Sequence, residues 1–600
     1  MIDMFSHFAV LDVLHARLQS DALADDADDA IREAYKALED YHAYAVLGSV
    51  VDHLIAHDTV SDVELSVLTR ALTTFKLVKE LIGDLRDVRE RFEQLVLNPS
   101  APGALSRYNR ARVDLADILI RFDTVAAEVH VFVWQWLKPL KYLVPHPQND
   151  DAPVTDWPWR DTLLSRRTGA FAAATMDLAR QSGRPEALAF GVGVLASYIG
   201  NAIGSPYLTR SVGGPRRSHR LRDRLAAYST GAWLHHFGPV AGLAPAVPTT
   251  VLPTLGSPNQ ALLPNWLVAL INGALTDTYG GVAPLPDIVV AYRNLRYHWH
   301  LLHSFQPVAP PKPVTDDIAV PIANNLGPKD YWSGPEPTGP QNFGPAPANQ
   351  GSFFDPGPGN PPWLFSKYNT VVDWIWAILD ILMGWPRTTI RFVYWLGHGG
   401  KVNPTNQAQT VAALKTPETQ NEYDSAITSK DFLIAIKAMH DKDLQLFSLA
   451  EHFLWSLKVG GLLYPTAKDL PTDTFSQFVV PPTAPPGFQW PARQLADPTE
   501  ALKFPSTAPA ENNPTATEFA DGEKPIAFLT GSTTAAPYVA RHGYIMFRDE
   551  LHQAPAAAIR TTNVNLDADR GPGGSCWNLA AGTSMHDDPV NVIDLAYNDL

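Results

Sequence analysis

The sequence of 600 residues predicts a mainly α-helical protein, and two observations carry that prediction. Apolar residues recur at helical spacing from the first segment onward, beginning with a single stripe over 1–20. Two long periodic segments, 62–97 and 106–138, follow one another with only a short break rich in proline. Two long apolar stripes separated by such a break are typical of a helical hairpin.

The remaining elements follow in order along the chain. A segment over 26–57 continues the helical pattern, and a loop rich in proline and aspartate over 144–160 ends the hairpin region. Further helices are predicted at 161–181, 186–203, 217–235, 265–275 and 287–305. Near the end of the chain, two short runs favour strands: Ile526–Leu529 and Tyr544–Phe547.

Proline content divides the chain into regions. The segment from Pro307 to Pro362 holds 15 prolines, which excludes a regular helix or a central strand there. Such a composition is typical of a disordered segment, and aromatic anchors within it favour the alternative of partial ordering against a core. The predicted organisation is a helical domain over 1–305 with an inserted hairpin at 62–140, a connector at 306–362, a helical region at 363–465, and a proline- and threonine-rich segment with a C-terminal tail at 466–600 that packs back on the bundle.

Composition limits the classes of function and compartment. A formal net charge of −15 argues against a nucleic-acid partner, because phosphate contacts need clustered basic residues. One cysteine, Cys576, allows no intrachain disulfide, and the N-terminus has acidic residues where a signal peptide has basic ones. We expect a cytoplasmic protein without a transmembrane span, with peripheral membrane attachment or export by a dedicated machine left open.

One helix carries small polar residues at regular spacing. Ser197, Asn201 and Ser205 are four residues apart, so they share one face of the helix predicted at 186–206. Four glycines lie in the same helix, which is costly unless another helix or a ligand packs closely against it. This face is therefore a candidate site.

Several motifs together resemble the bacterial zinc-dependent phospholipase C family, which is related to P1-type nucleases. Ser6-His7-Phe8-Ala9 is similar to the opening THxxxA helix of the family, and Val46 through Asp52 is similar to its LGxxxPD turn. Arg167-Thr168-Gly169 opens a helix that follows a histidine in the family. The run from Ala196 to Asp223 is similar to YxSHxxxDxxGHPYxNxxVGGPxRTHxxxH. The resemblance implies a phospholipase-C-like helical bundle.

The resemblance also implies a zinc cluster whose bound water attacks phosphoric esters. His7, Asp52, His219 and Asp223 stand at ligand positions of the family. Three other ligand positions are degenerate: Ser197 and Ser205 replace histidines, and Asn201 replaces an aspartate. Leu164 and Ser165 stand where the family has a further histidine. Hydroxyls and amides bind zinc weakly, so a full zinc cluster is disfavoured. Two alternatives remain for the retained residues: one zinc ion bound by His7, Asp52, His219 and Asp223, or a hydrogen-bonded His219–Asp223 pair without metal. No other cofactor is expected.

Other patterns leave alternatives open. The basic residues Arg216, Arg217 and Arg220 are candidates for phosphate binding, and the segment at 371–396 suits either a buried hairpin or a helix lying in a lipid interface. The histidines over 298–303 suit an amphipathic helix better than a metal site. The loop after Leu566 suits an Asp–Arg turn better than a calcium site.

Two functions from different classes follow from these observations. The first is a degenerate phospholipase-C-like protein, non-catalytic or weakly metal-binding, that acts in binding or assembly at phosphorylated lipid headgroups or with protein partners. The second is a metal-dependent phosphodiesterase or phospholipase C with a reduced metal site on His7, Asp52, His219 and Asp223.

Overall fold

The computed structural model describes residues 2–58, 62–137, 142–143, 157–212, 220–237, 263–280, 284–312, 414, 416–476, 478–479, 525, 527–530, 538–553, 558–561 and 566. These residues are 78% helical and contain no strand, which confirms the predicted mainly α fold. The predictions for the segment at 371–396, for Cys576 and for the loop after Leu566 concern residues outside the described ranges.

The first half of the chain consists of twelve helices within the described ranges. They are α1 (Met4–Ala22), α2 (Asp29–Asp40), α3 (His42–Ser49), α4 (Val51–Ala56), α5 (Val63–Leu97), α6 (Ala104–Phe132), α7 (Trp159–Ser165), α8 (Thr168–Gln181), α9 (Pro185–Val212), α10 (Arg220–Phe237), α11 (Asn265–Tyr279) and α12 (Ile288–Ser304). A π-helical turn, Val133–Leu137, extends α6. The helix predicted over 62–97 matches α5 closely.

Six more helices follow in the described parts of the second half. They are α13 (Gln420–Ile427), α14 (Lys430–Val459), α15 (Asp473–Ser476), α16 (Ala527–Thr530), α17 (Tyr544–Leu551) and α18 (Ala558–Thr561). The strand prediction near the end of the chain is wrong, because α16 and α17 occupy those segments. A π-helical turn at Val539–Gly543 precedes α17, and Phe528, Leu529, Tyr544, Met546 and Phe547 are buried against helices rather than paired in a sheet.

Apolar side chains of the described residues form two clusters. The first cluster is built by α1–α4, by α7–α12 and by the C-terminal helices, and α9 crosses its middle. The second cluster joins the α5–α6 hairpin to α13 and α14, together with the last turn of α12. Phe75 of α5 stacks on Phe453 of α14 with ring centroids 5.9 Å apart. The long hairpin is thus covered by a helix that begins 298 residues after the hairpin ends.

Backbone contact between α3 and α9 brings these two helices unusually close together. A Cβ atom added at Gly193 would lie 2.0 Å from the carbonyl oxygen of Ala45, and one at Gly48 would lie 2.2 Å from that of Phe190. Real Cβ atoms do not approach so closely, so both positions require glycine. Gly193 accounts for one of the glycines of α9, and together with Gly48 of α3 it sets the distance between α9 and the start of α4.

The C-terminal helices pack on the first cluster. Arg560 of α18 binds Asp177 of α8 through two hydrogen bonds of 2.8 and 3.0 Å, and it also binds Glu550 of α17. The Tyr544 hydroxyl donates to Asp21 at 2.7 Å. These contacts attach α17 and α18 to helices near the start of the chain.

One described helix is long and apolar enough to cross a membrane. It is the part of α9 over Pro185–Ser205, and its apolar window is entirely buried by the surrounding helices. Core helices of soluble proteins meet the same criteria, so this helix is weak evidence for a membrane span.

We expect Gly193→Ala to destabilise the protein by about 1–3 kcal/mol or more, because the new methyl group would overlap the backbone of α3. Gly83→Ala is the matched control, since Gly83 is an exposed position of α5 with nothing within 4 Å of an added Cβ. The control should gain up to about 1 kcal/mol from helix propensity. Thermal unfolding followed by circular dichroism measures both, and equal midpoints for the two variants would contradict the close crossing.

Candidate functional site

The candidate site is formed where α1, α4 and α9 meet. His7 lies in the first turns of α1, which begins after the N-cap Asp3, whose carboxylate accepts a hydrogen bond from the Phe5 amide at 2.9 Å. Asp52 lies in the first turn of α4, and Asn201 lies in the second half of α9. All three side chains are buried.

Asp52 accepts three hydrogen bonds. Its Oδ2 lies 3.2 Å from His7 Nε2 and accepts from Asn201 Nδ2 at 2.9 Å, and its Oδ1 accepts from the His53 amide at 2.9 Å. The other end of the Asn201 amide is also used, since its Oδ1 accepts from the amide of Ile2 at 3.0 Å. Asn201 thus links the start of the chain to the carboxylate.

The site holds Asp52 in its ionised form. Burial by itself raises the pKa of Asp52, but the electrostatic influence of His7 and His53 and the hydrogen bonds from His7 and Asn201 hold that pKa well below its ordinary value. Burial lowers the pKa of His53 to about 3, so this imidazole is neutral at physiological pH. His53 Nε2 lies 3.1 Å from the carbonyl oxygen of Ile2, which accepts if that nitrogen carries the proton.

Within the described residues, one group of potential ligands could hold a metal ion. It consists of His7, Asp52 and His53, whose ligand atoms lie within 4.8 Å of one another. Two imidazoles and a carboxylate are a donor set that suits zinc. His53 is not among the ligands predicted from the sequence, although it directly follows Asp52 and is a second donor on the same helix.

The other predicted ligands and basic residues lie elsewhere. Asp223 is buried on α10 and is not part of the His7–Asp52–His53 group. His219, Arg216 and Arg217 lie outside the described ranges, and Arg220 is the first residue of α10. Of the four predicted ligands, the structure therefore brings His7 and Asp52 together.

The degenerate positions on α9 are used by protein contacts. Ser205 Oγ donates to the carbonyl oxygen of Leu566 at 2.6 Å, and the Leu566 amide donates to the carbonyl oxygen of Leu164 at 2.6 Å. Leu164 is one of the two residues that stand where the family has a histidine. A residue of the tail is thus held over the face that carries Ser197, Asn201 and Ser205.

A small cavity lies beside this face. Its polar lining is Asp52, Thr168, Ser197, Tyr198 and Asn201, and its apolar lining is Val51, Leu163, Leu164, Phe171, Ala172, Val194 and Leu566. The space open to the centre of a water molecule is about 20 Å³. That is room for one water molecule or a single small ion, and it is far below the volume of pockets that bind organic ligands.

The histidines predicted to face the interface of an amphipathic helix are on α12. His298 is buried, His300 is exposed and His303 is half-buried, with its Nδ1 2.8 Å from the carbonyl oxygen of Trp299. In the described part of the chain, none of them belongs to a group of three potential metal ligands.

Comparison of the chain with protein-family models, with curated proteins and with solved structures finds no match.

We expect Asp52→Asn to lower stability by about 3–5 kcal/mol at pH 7, because the variant removes the charge that His7, His53 and Asn201 are arranged to meet. The folded-state pKa of Asp52 is depressed, so its contribution is present above the ordinary aspartate pKa and is lost as pH falls below about 4.

The difference in stability between wild type and Asp52→Asn should therefore shrink on acidification. Chemical unfolding at pH 7 and below pH 4 measures it. Asp117→Asn is the control, because Asp117 pairs with Arg121 on the surface of α6 and its side chain is 66% exposed. A difference that does not depend on pH would contradict the assignment of an ionised Asp52.

Proposed function

We propose that this chain is a degenerate relative of zinc-dependent phospholipase C, non-catalytic or weakly metal-binding, whose helical scaffold acts in binding or assembly. The observation that carries the proposal is the hydrogen bond from Asn201 Nδ2 to Asp52 Oδ2 at 2.9 Å. The proposed binding partners of the protein are phosphorylated lipid headgroups or other proteins. The resemblance and the basic residues Arg216, Arg217 and Arg220 suggest these partners.

The amide of Asn201 satisfies one carboxylate oxygen of Asp52 through a hydrogen bond. A carboxylate in a metal cluster is satisfied by the ion, whereas here a side-chain amide donates to the same oxygen that His7 approaches. Because Asn201 also accepts from the backbone of Ile2, its orientation is set from both ends. This arrangement supports a structural role for Asp52 and Asn201, which stand at positions of metal ligands in the family that the chain resembles.

Two further features disfavour catalysis. The cavity beside Asp52 holds about one water molecule, while hydrolysis of a phosphoric ester needs room for the ester and an open coordination position on the metal. Leu566 lines that cavity, and its backbone is bonded to Ser205 and Leu164. Leu566 therefore occupies part of the space beside Asp52.

The second candidate function is a metal-dependent phosphodiesterase with a reduced site. It is favoured by the convergence of His7, Asp52 and His53, which would hold the ion. A zinc ion bound there would lower the pKa of a bound water and supply a hydroxide nucleophile. His7 Nδ1 is buried and has no hydrogen-bond partner among the described residues, and it faces α9, since a Cβ added at Gly200 would lie 3.3 Å from it. Only the Nε2 of His7 therefore faces Asp52.

Metal analysis and an ester-hydrolysis assay separate the two functions. The full chain is purified without chelators, its zinc content is measured by mass spectrometry, and hydrolysis of bis-p-nitrophenyl phosphate is followed with added zinc. Zinc well below one ion per chain and no hydrolysis would support the first function. Stoichiometric zinc that is lost in His7→Ala, with hydrolysis that is lost in parallel, would establish the second.

We expect Asn201→Asp to convert the site into one that requires a cation. The variant would place two carboxylates in contact in a buried position, which we expect to cost about 1–3 kcal/mol without metal. Added zinc should raise its thermal midpoint well above the shift seen in wild type, because the ion would bind the native state selectively.

Asn98→Asp is the matched control, because it makes the same chemical change at an exposed residue after α5. A variant that is as stable as wild type and indifferent to zinc would argue against the role given to Asn201. Calorimetric titration with zinc would then show whether the wild-type site binds the ion by itself.

A further inference from the structure

The described start of the proline-rich connector, 306–312, follows α12 and has a sequence that restricts its own backbone. The prolines at 307, 310 and 311 have φ fixed at about −65°, and a residue that precedes a proline is held away from the helical region. Within 306–312, only Val308 is under neither restriction. These restrictions favour the polyproline II conformation over the whole segment.

Burial along this segment repeats every three residues. Phe305 is 9% exposed and belongs to the second apolar cluster, Val308 packs against the same cluster, and Pro311 is half-buried. The residues between them are all exposed: Gln306, Pro307, Ala309, Pro310 and Lys312. A polyproline II helix has three residues per turn, so one of its three sides packs on the protein and two face solvent.

Two arginines of α5 hold the segment by its backbone. Arg86 Nη2 donates to the carbonyl oxygen of Ala309 at 2.8 Å, and Arg89 Nη2 donates to that of Lys312 at 3.0 Å. Among the described residues, 307–312 makes no backbone–backbone hydrogen bond. A polyproline II helix has no internal hydrogen bonds, so its carbonyls are available to such side-chain donors.

The two arginines are themselves fixed by Asp443 of α14. Arg86 Nε lies 2.9 and 3.0 Å from the two carboxylate oxygens of Asp443, and Arg89 Nη1 lies 3.4 Å from Oδ2. The Asp443 side chain is fully buried, and that of Arg89 is 6% exposed. The guanidinium groups are therefore anchored in the protein, and their remaining nitrogens hold the connector in one extended conformation.

The exposed sides of the segment display a regular pattern. Pro307 and Pro310 are three residues apart, so they lie on one edge of the polyproline II helix, and Gln306, Ala309 and Lys312 lie on the next edge. The intervening positions, Val308 and Pro311, are the ones that pack on the protein. The edge with the two prolines and the edge with the lysine are thus both open to a partner.

We propose that 306–312 is a docking ligand for a partner protein that has an aromatic proline-binding groove with an acidic side chain beside it. Aromatic grooves bind P-x-x-P segments in the polyproline II conformation, and Pro307 and Pro310 supply that spacing. Lys312, two residues further on, pairs with the acidic side chain. Because the arginines already hold the segment extended, binding costs little ordering entropy. The proposal uses none of the residues around Asp52.

A second P-x-x-P spacing in the described residues supplies a matched control. Pro99 and Pro102 are exposed in the connection between α5 and α6. The Ala101 amide donates to the carbonyl oxygen of Asn98 at 3.2 Å, and the Ala104 amide donates to that of Ala101 at 3.0 Å. These bonds form turns, so the two prolines have the spacing without the extended conformation.

The test is a titration of the full chain into a ¹⁵N-labelled SH3 domain that selects P-x-x-P-x-Lys peptides. NMR locates the contact on the domain, and calorimetry measures the affinity. We expect wild type to shift the signals of the aromatic groove. Pro307→Ala, Pro310→Ala and Lys312→Glu should each weaken binding by about tenfold or more, and Pro102→Ala should leave it unchanged. Circular dichroism checks that each variant is folded.

Several results would overturn the proposal. They are the absence of groove shifts with wild type, an unchanged affinity in Pro310→Ala, and an equal loss in Pro102→Ala. Further P-x-x-P spacings occur outside the described ranges, so the variants rather than binding alone identify the site.

Arg86→Lys tests the support given by α5. A lysine keeps a cation beside Asp443 but has one nitrogen in place of the two that reach Asp443 and Ala309. We expect binding of the same SH3 domain to weaken by about threefold, because the segment is then less ordered before binding. An affinity equal to that of wild type would show that the arginines do not prepare the ligand, and would overturn that part of the proposal.

Discussion

The contact on which the candidate site depends is the backbone crossing of α3 and α9 at Gly48 and Gly193. Side chains at either position would push the helices apart, because an added Cβ would lie within 2.2 Å of a backbone oxygen. Asp52 follows Gly48 by one turn of chain, and Asn201 follows Gly193 by two turns of α9. The spacing of the helices at the crossing therefore controls the 2.9 Å contact between Asn201 and Asp52. The close packing of α3 against α9 therefore determines the geometry of the polar site around Asp52.

The short helix α4 connects two polar centres, and the buried polar groups of each centre are satisfied in a different way. At its first turn, Asp52 is satisfied by two neighbouring side chains and a backbone amide. At its end, His57 lies 2.5 Å from Asp62 through its Nδ1 and 3.1 Å from His298 Nδ1 through its Nε2. At both centres the buried carboxylate has polar partners, which avoids the cost of an unpaired buried charge. The first resembles a metal centre in position and donor type, and the second includes His298, one of the histidines predicted to lie on an amphipathic helix.

The two apolar clusters explain how a chain with long proline-rich segments retains a defined helical core. The α5–α6 hairpin could be recognised from its periodicity, since its stripe repeats over many turns and is interrupted by proline and glycine. Its partner α14 could not be assigned to it from the sequence, because an apolar stripe specifies that a face is buried but not which helix covers it. The same limit applies to α16 and α17, where short apolar runs favoured strands and neighbouring helices decided otherwise.

By itself, the sequence determined the helical class and the extent of the longest helix, because periodicity is a local property of the chain. The resemblance placed His7 and Asp52 among four candidate ligands, and the structure brings these two together. Only the tertiary structure decided that His53 joins them, that Leu566 is bonded to Ser205 and Leu164, and that His57 meets His298. These contacts join residues that are far apart in the sequence, and they arise from how helices pack. The polar face of α9 was thus visible in the sequence. The packing of neighbouring residues decided that Asn201 donates to Asp52 and Ser205 donates to Leu566.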